Sequence, residues 1–383
     1  MPLNYTSPWR TEETDAFRDA VRRFIEDEIT PHEKAWDAQG FIDRTLWKKA
    51  GDIGLLGADI AEEHGGVGGH FGHSAVIAEE LARAGANSFR ICLAIHVIAA
   101  HYVVAYGTEE QRARWLPGLC SGDIIAGVAM SEPVGGSDLQ AGQTRADKQD
   151  DVYVVNGSKT FITNGSSADL LLLAVKTDPA QRAHGTSMLL FDTTTPGFTV
   201  GRRLEKVGLH ASDTCELFFD DCRVPISTLL GDAEGRGFYQ MIEQLAYERV
   251  IAAVGAIGVI EAAFDMTLEY ARERKAFGKS ILDFQNTRFV LAGIKTDALA
   301  ARCFIDLAIQ RMIDGTIDGE LASMSKYWMS ERLAEIVDKC VQVFGGYGYM
   351  TEYPIARYYA DARIERIYGG TTEIMKEIIG RAL

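Results

Sequence analysis

The chain lacks any cysteine pair in C-x-x-C spacing. Its six cysteines (Cys92, Cys120, Cys215, Cys222, Cys303 and Cys340) are scattered. Nothing in their spacing points to a disulfide framework, and a reducing compartment is the expected setting. Basic charge is also scarce. Thirty-nine lysines and arginines against 54 acidic residues leave a net charge of −15. Such a chain repels phosphate backbones, so no nucleic-acid partner is expected. Long apolar runs are missing too. The longest, 91–100, is broken by His96 and is too short to span a bilayer, so no membrane role is expected. The opening MPLNYTSPWRTEE has no basic segment followed by an apolar run, which argues against a signal or transit peptide.

Several chemical fingerprints are absent as well. There is no G-x-G-x-x-G after a strand. AFGKS at 276–280 has the end of a phosphate-binding loop, but that motif needs glycine at 273, where Glu273 stands. No H-E-x-x-H, zinc-spaced cluster or G-x-S-x-G elbow occurs, and the eight histidines are spread out. No metal site is expected. Nucleotide-hydrolase, metallohydrolase and serine-hydrolase readings all lose their support.

What is present is a 383-residue chain, 47% hydrophobic and 24% charged. That is about two or three domains of buried core, and it excludes disorder. Three territories follow one another. Residues 1–121 read as helices. Phe17, Val21, Phe24, Ile25 and Ile29 recur at helical spacing until Pro31, Thr108 and Gln111 fit a capping box, and the glycines at 65–69 read as a loop. Residues 122–232 read as strands without intervening helices, hence an antiparallel sheet or barrel. Within them, 151–163 (DVYVVNGSKTFIT) predicts a hairpin turning at Asn156-Gly157, with further strands at 170–175, 187–191 and 215–219. Residues 233–383 return to helical period, with long segments near 237–273, 283–313 and 319–344 and an apolar stripe from Leu333 to Phe344. A four-helix bundle is expected there. The predicted fold class is α+β, ordered helices, sheet, helices.

Five segments carry a resemblance. Residues 130–143 read MSEPVGGSDLQAGQ and 342–361 read QVFGGYGYMTEYPIARYYAD. Alongside them are NGSKTFITNG (156–165), RKAFGKSILDFQ (274–285) and YGGTTEIM (368–375). In this order they resemble the acyl-CoA dehydrogenases over nearly the whole chain. AHGTSMLLF (183–191), DTCELFFDDCRVP (213–225) and YGGTTEIMKEIIGR (368–381) are most similar to the long-chain branch. The resemblance implies that FAD takes a hydride from the β carbon of an acyl-CoA while a protein base removes the α proton. It also implies electron transfer to an electron-transferring flavoprotein and a homotetramer built as a dimer of dimers.

Most of the family, as the resemblance implies, takes its base from a Tyr-Glu-Gly-Thr sequence. Here that sequence is Tyr368-Gly369-Gly370-Thr371, without the carboxylate. The long-chain and isovaleryl branches instead carry a helical Glu-Arg pair, matched here by Glu248-Arg249. Glu248 is the expected base, with Gly369 making room for it and lending its N–H to the thioester oxygen. By resemblance, Val128, Met130, Ser131, Ser137, Phe161, Ile162 and Thr163 contact the flavin. Arg274, Gln285, Gln342, Val343, Gly345 and Gly346 reach the FAD of a neighbouring subunit, and Thr371, Thr372 and Glu373 its adenine side. Ser137, Ala183, His184, Tyr239, Tyr247, Arg249 and Gly370 match substrate positions.

Two features stay open. The family often has arginine where His210 stands. Ala252, Ala253 and Gly255 either deepen the cavity or let helices pack closely. The helical base suits a medium or long acyl chain and also a branched one. An oxidase or monooxygenase on the same fold, and a non-catalytic acyl-CoA binder, are rivals; Glu248 opposes the monooxygenase and the binder and leaves the oxidase open. A bacterial cytoplasm is the expected location, ahead of a mitochondrial matrix.

Overall fold

A computed structural model describes residues 5–383; residues 1–4, where the segment read for a leader begins, lie outside the described residues. The first helix, α1 (Glu12–Phe24), starts where the Thr11 and Thr14 side chains cap each other's backbone N–H groups. It buries Val21 and Phe24, widens by a turn over Ile25–Ile29 and ends before Pro31. Short helices α2 (Glu33–Gln39) and α3 (Arg44–Asp52) follow. Then come α4 (Phe71–Arg83), α5 (Asn87–Tyr106) and α6 (Glu109–Ser121). The Thr108–Gln111 capping box is present at the start of α6.

The helix α5 corrects one expectation. Read as a run, 91–100 was too short for a bilayer. As a 20-residue helix, α5 is long and apolar enough to cross one by length and composition, and so is the later α7 (Gly237–Glu273). In both, most of the apolar stretch is buried inside the protein (67% and 72%), as in core helices.

Seven strands form one sheet: β1 (Ala126–Ala129), β2 (Arg145–Gln149), β3 (Val152–Thr163), β4 (Leu170–Lys176), β5 (Thr186–Asp192), β6 (Phe198–Arg203) and β7 (Thr214–Pro225). Their order is β1-β4-β2-β3-β7-β6, with β5 on β4. The sheet is mixed rather than purely antiparallel, because β1 runs parallel to β4 and β2 touches β4 in parallel at Arg145 and Lys176. The chain between β1 and β4 makes the β2–β3 hairpin first, so β4 returns in the direction of β1. All of β4 is buried. Leu170, Leu172 and Ala174 pack with α5 and α6; Leu171, Leu173 and Val175 fill the sheet's other side. A strand covered on both faces reads as an unbroken apolar run.

The hairpin predicted at Asn156-Gly157 is not there. β3 runs straight through it and pairs with β7 along its length. The turn lies six residues earlier, at Asp150-Asp151, where Gln149 faces Val152 and Asp150 has φ +53°. Asn156 instead exchanges two hydrogen bonds of 2.9 Å with Asp221 at a bulge. Gly157, at φ +150°, is required because a Cβ would lie 2.6 Å from the Thr144 hydroxyl.

The C-terminal part has three long helices, α7 (Gly237–Glu273), α8 (Gln285–Ile313) and α9 (Gly319–Phe344). The expected fourth long helix is replaced by two short ones, α10 (Pro354–Ala362) and α11 (Thr372–Arg381), both packed on α9. Helix α4 covers α7 from the N-terminal side. Between them lies a buried ion network. Arg302 of α8 pairs with Glu79 of α4 and, at 2.9 Å, with Glu261 of α7, and Trp9 Nε1 donates to Asp306 at 2.9 Å.

Candidate active site

Where α4, α5 and α7 meet the sheet edge, they enclose a cavity of about 600 Å³. Leu55, Ile77, Leu81, Ile95 and Ile98 contribute apolar wall to it. Glu248, in the fourth turn of α7, opens into it. Burial pushes the Glu248 carboxyl up to about 7, against the opposing pull of Tyr102 and Arg249. The Tyr102 hydroxyl donates to its Oε1 at 3.2 Å. Glu248 is half-buried: the surface it keeps lines the cavity. A carboxyl poised near neutrality in an apolar cavity can take up and give back a proton.

Arg249 is buried beside it. One guanidinium nitrogen donates to Ser323 Oγ at 3.1 Å, and Nε has no partner. Burial lowers its pKa. On the preceding residue, Tyr247 donates to Asp59 Oδ2 at 3.1 Å, and His101 Nε2 stands 3.0 Å from Asp59 Oδ1. Burial raises Asp59, but His101 more than offsets it and leaves the carboxyl below the usual range.

Gly369 and Gly370 form part of the same wall, with φ +60° and +94°. A Cβ on Gly369 would meet no heavy atom within 4 Å, so space for a side chain exists there. A Cβ on Gly370 would lie 2.4 Å from Met375 Cε. The Gly370 carbonyl is held by the buried Lys326 ammonium, which burial pushes down to about 8. The segment before it is anchored by a buried pair, Arg90 to Glu365 at 2.6 Å. Gly255 is what admits that pair, since a Cβ there would sit 2.1 Å from the Arg90 guanidinium. The small residues of α7 therefore divide: Ala252 lines the cavity, Ala253 packs in the core, and Gly255 makes room for Arg90.

On the sheet side, Val128, Met130, Ser131, Ser137, Phe161, Ile162 and Thr163 all line the cavity. The loop that carries Ser131 and Ser137 is tied down by Glu132. Its carboxylate accepts from the backbone N–H groups of Gln143 and Thr144 and from Lys159 Nζ at 2.7 Å. Lys159 also holds the Met130 carbonyl at 3.2 Å. Phe161 sits at a register slip of β3 with φ +59° and is 70% exposed. A strained backbone that turns a large aromatic ring out into a cavity is costly unless something binds that ring.

Other expected residues lie elsewhere. Ala183, His184 and Tyr239 do not line the cavity. His184 Nε2 and the Tyr239 hydroxyl are 3.2 Å apart at the surface. Arg274, Gln285, Gln342, Gly345 and Gly346 are exposed and Val343 half-buried, beyond the far end of α7. Arg274 lies over the Tyr347 ring at 5.4 Å. Thr371 caps α11, Thr372 is buried and donates to Glu331 at 2.9 Å, and Glu373 is exposed. His210 lines a small cleft with Glu33, Asp37, Arg357 and Asp361, away from the cavity.

Sequence reasoning missed Tyr102, Asp59, His101, Arg90 and the Glu132–Lys159 pair. Each is separated from its partner by tens or hundreds of residues, and none belongs to a spacing pattern. It also missed Phe277, 96% exposed at the tip of the β8 (Lys275–Ala276) to β9 (Lys279–Ser280) hairpin, with φ +52°. The signal was present in that case, as an aromatic before glycine in a two-residue turn.

Comparison with known proteins places this architecture. The N-terminal, middle and C-terminal domain models of acyl-CoA dehydrogenase match residues 11–123, 127–222 and 235–383. The chain belongs to the acyl-CoA dehydrogenase family, and it is a flavin-dependent oxidoreductase of that family. It is 43% identical to the mitochondrial long-chain specific acyl-CoA dehydrogenase of Sus scrofa, over 97% of this chain and 87% of that one. It is 36% identical to the mitochondrial isovaleryl-CoA dehydrogenase of Oryza sativa, over 96% and 90%. The crystal structure of an acyl-CoA dehydrogenase from Geobacillus kaustophilus superposes with a TM-score of 0.96 at 44% identity, covering 98% of this chain and 99% of that chain.

Proposed function

We propose that this enzyme binds FAD and oxidises medium- or long-chain fatty acyl-CoA thioesters to trans-2-enoyl-CoA, with Glu248 as the α-proton base. The observation that carries the reading is the Glu248 carboxyl, raised to about 7 and lining a cavity with mostly apolar walls. The residues present fit a flavin. Phe161 offers an exposed ring, the 130–143 loop offers hydroxyls and backbone N–H groups, and both share the cavity with Glu248. When bound, the flavin supplies the hydride-accepting chemistry.

The chain's own residues do the rest. Glu248 takes the α proton. The Gly369 N–H, on a backbone no side chain shields, polarises the thioester oxygen. The walls formed by Leu55, Ile77, Leu81 and Ile98 exclude water and hold the acyl tail. Gly370, Tyr247, Ser137 and Arg249 are assigned to the substrate side, with Arg249 toward the CoA. Ala183, His184 and Tyr239 are assigned to the entrance, which fits their place at the surface.

Arg274, Gln285, Gln342, Val343, Gly345 and Gly346 are assigned to the flavin of a second copy, with Thr371, Thr372 and Glu373 on the adenine side. Their distance from the cavity and the exposure of Arg274, Gln342 and the neighbouring Phe277 support this, and with it a homotetramer. For Thr372 only the backbone is free, since its hydroxyl is engaged by Glu331. Domain limits at 121/122 and 232/233, an electron-transferring flavoprotein as acceptor, and a bacterial cytoplasm complete the reading. The bacterial relative from Geobacillus kaustophilus supports the last.

A branched-chain substrate is the second reading, favoured by the 36% identity to an isovaleryl-CoA dehydrogenase. A panel of straight and branched acyl-CoA thioesters, assayed by dye reduction, decides between them. Highest kcat/KM on straight chains of medium or greater length is the expected result. A preference for isovaleryl or 2-methylacyl thioesters selects the branched reading, and no turnover with any thioester refutes both.

A further inference from the structure

We infer that Tyr102 is the positioning residue of the base: its hydroxyl fixes one carboxylate oxygen of Glu248 and leaves the other to face the substrate. The inference rests on Glu248 as the base and adds the group that orients it. Tyr102 comes from α5, 146 positions away in sequence, and is fully buried. Its hydroxyl donates to Glu248 Oε1 at 3.2 Å, and among the described residues no group bonds Oε2. Four residues further along α5, the Tyr106 hydroxyl donates instead to Glu243 at 2.7 Å. The two tyrosines thus bridge α5 and α7 side by side, but only one reaches the cavity carboxyl.

A glutamate has three side-chain torsions, and a carboxylate free to turn spends time in unproductive orientations. Anchoring Oε1 removes that freedom. When the α C–H bond breaks, the proton forms a bond with Oε2. The electron pair left on the α carbon would become part of the new double bond, the β hydride leaving to the acceptor that a bound flavin would supply. The Tyr102 proton stays on Tyr102 throughout, because an O–H donates to a carboxylate oxygen and, more weakly, to the carbonyl oxygen of the protonated acid.

The groups around the base are few. On α7 itself, Arg249 is adjacent and Tyr247 is engaged by Asp59. From α5, besides Tyr102, Arg90 lines the cavity but is paired with Glu365. From α9, Lys326 is held on the Gly370 carbonyl, and from the C-terminal segment Tyr368 lines the wall. Among the described residues, Tyr102 is the hydroxyl with a direct bond to the base.

The hydrogen bond favours the charged carboxylate, so its removal raises the proton affinity of Glu248. The test uses the flavin-loaded protein with 13C-labelled glutamate side chains, the Glu248 signal being assigned by its loss in Glu248→Gln. Tyr102→Phe is expected to raise the Glu248 midpoint by about one pH unit, and to move the acid limb of the kcat/KM profile upward by the same amount. Tyr106→Phe is expected to leave both where they are. An unmoved midpoint and limb in a folded Tyr102→Phe, with a loss of rate uniform in pH, overturns the inference. Should Tyr102→Phe not fold, 3-fluorotyrosine at 102, a stronger donor, is expected to lower the midpoint, and no change there overturns it equally. If Glu248→Gln keeps its turnover while Tyr102→Phe shifts the carboxyl signal, the base assignment fails and the hydrogen bond stands.

Discussion

The two ends of α7 are built on opposite terms. Near its start, Tyr102, Arg249 and the Glu132–Lys159 pair are buried, Glu248 is half-buried, and each makes a side-chain hydrogen bond within one chain. Near its end, Arg274, Phe277, Gln285 and Gln342 stand exposed, and Arg274 lies over the Tyr347 ring. The first region holds a reactive group in place before anything binds. The second offers donors and apolar surface with nothing of its own to hold. On the proposed reading a site spread over both would be finished only by a second chain, with the base contributed by the first region.

The contrast can be broken most sharply at the base. Glu248→Gln is expected to lower turnover by about 10²–10⁴-fold while the protein keeps its flavin absorbance. Near-normal dye reduction by that variant removes Glu248 from the reaction. Next comes the frame of the flavin loop. Lys159→Met leaves the buried Glu132 carboxylate unpaired, and chemical denaturation should register a loss of about 3–5 kcal/mol, with release of flavin. If stability is unchanged, the pair is not what secures the loop.

A smaller effect sharpens the inner half. Glu248→Ala combined with Gly369→Glu is expected to recover turnover by about 10–100-fold over Glu248→Ala alone, better on shorter thioesters. The open space at Gly369 permits the side chain, and its φ of +60° limits the gain at a cost of about 1–3 kcal/mol. Failure of any recovery with a folded, flavin-loaded variant means that a carboxylate at 369 does not reach the reacting carbon. The smallest effect belongs to the outer half. Arg274→Ala should weaken flavin retention by about tenfold and leave turnover of the loaded enzyme untouched, as read by ultrafiltration and rate per flavin. A change in that rate would erase the division between the two regions.

The sequence made the long helices legible because their apolar period is sustained over 26 to 37 residues. It made Glu248 legible only through resemblance, since one glutamate on a helix has no distinguishing local pattern. Asn156-Gly157 misled because a strong turn dipeptide was outweighed by pairing with β7 on one side and by the close approach of Thr144 on the other. The parallel β1–β4 contact was invisible because register between distant strands leaves no mark on either. Tyr102, Asp59 and Arg90 were illegible for the same reason: their meaning lies in partners brought close by folding.

One dimension of α7 has a mechanical consequence. The helix is a single unbroken rod, and Glu248 and Arg274 are separated by 26 residues along it, about 39 Å at 1.5 Å per residue. Any neighbour that grips the arginine end therefore pushes on the same lever arm that carries the proton acceptor. If a second copy docks there, as proposed, its grip and the aim of the carboxyl are linked without any hinge between them.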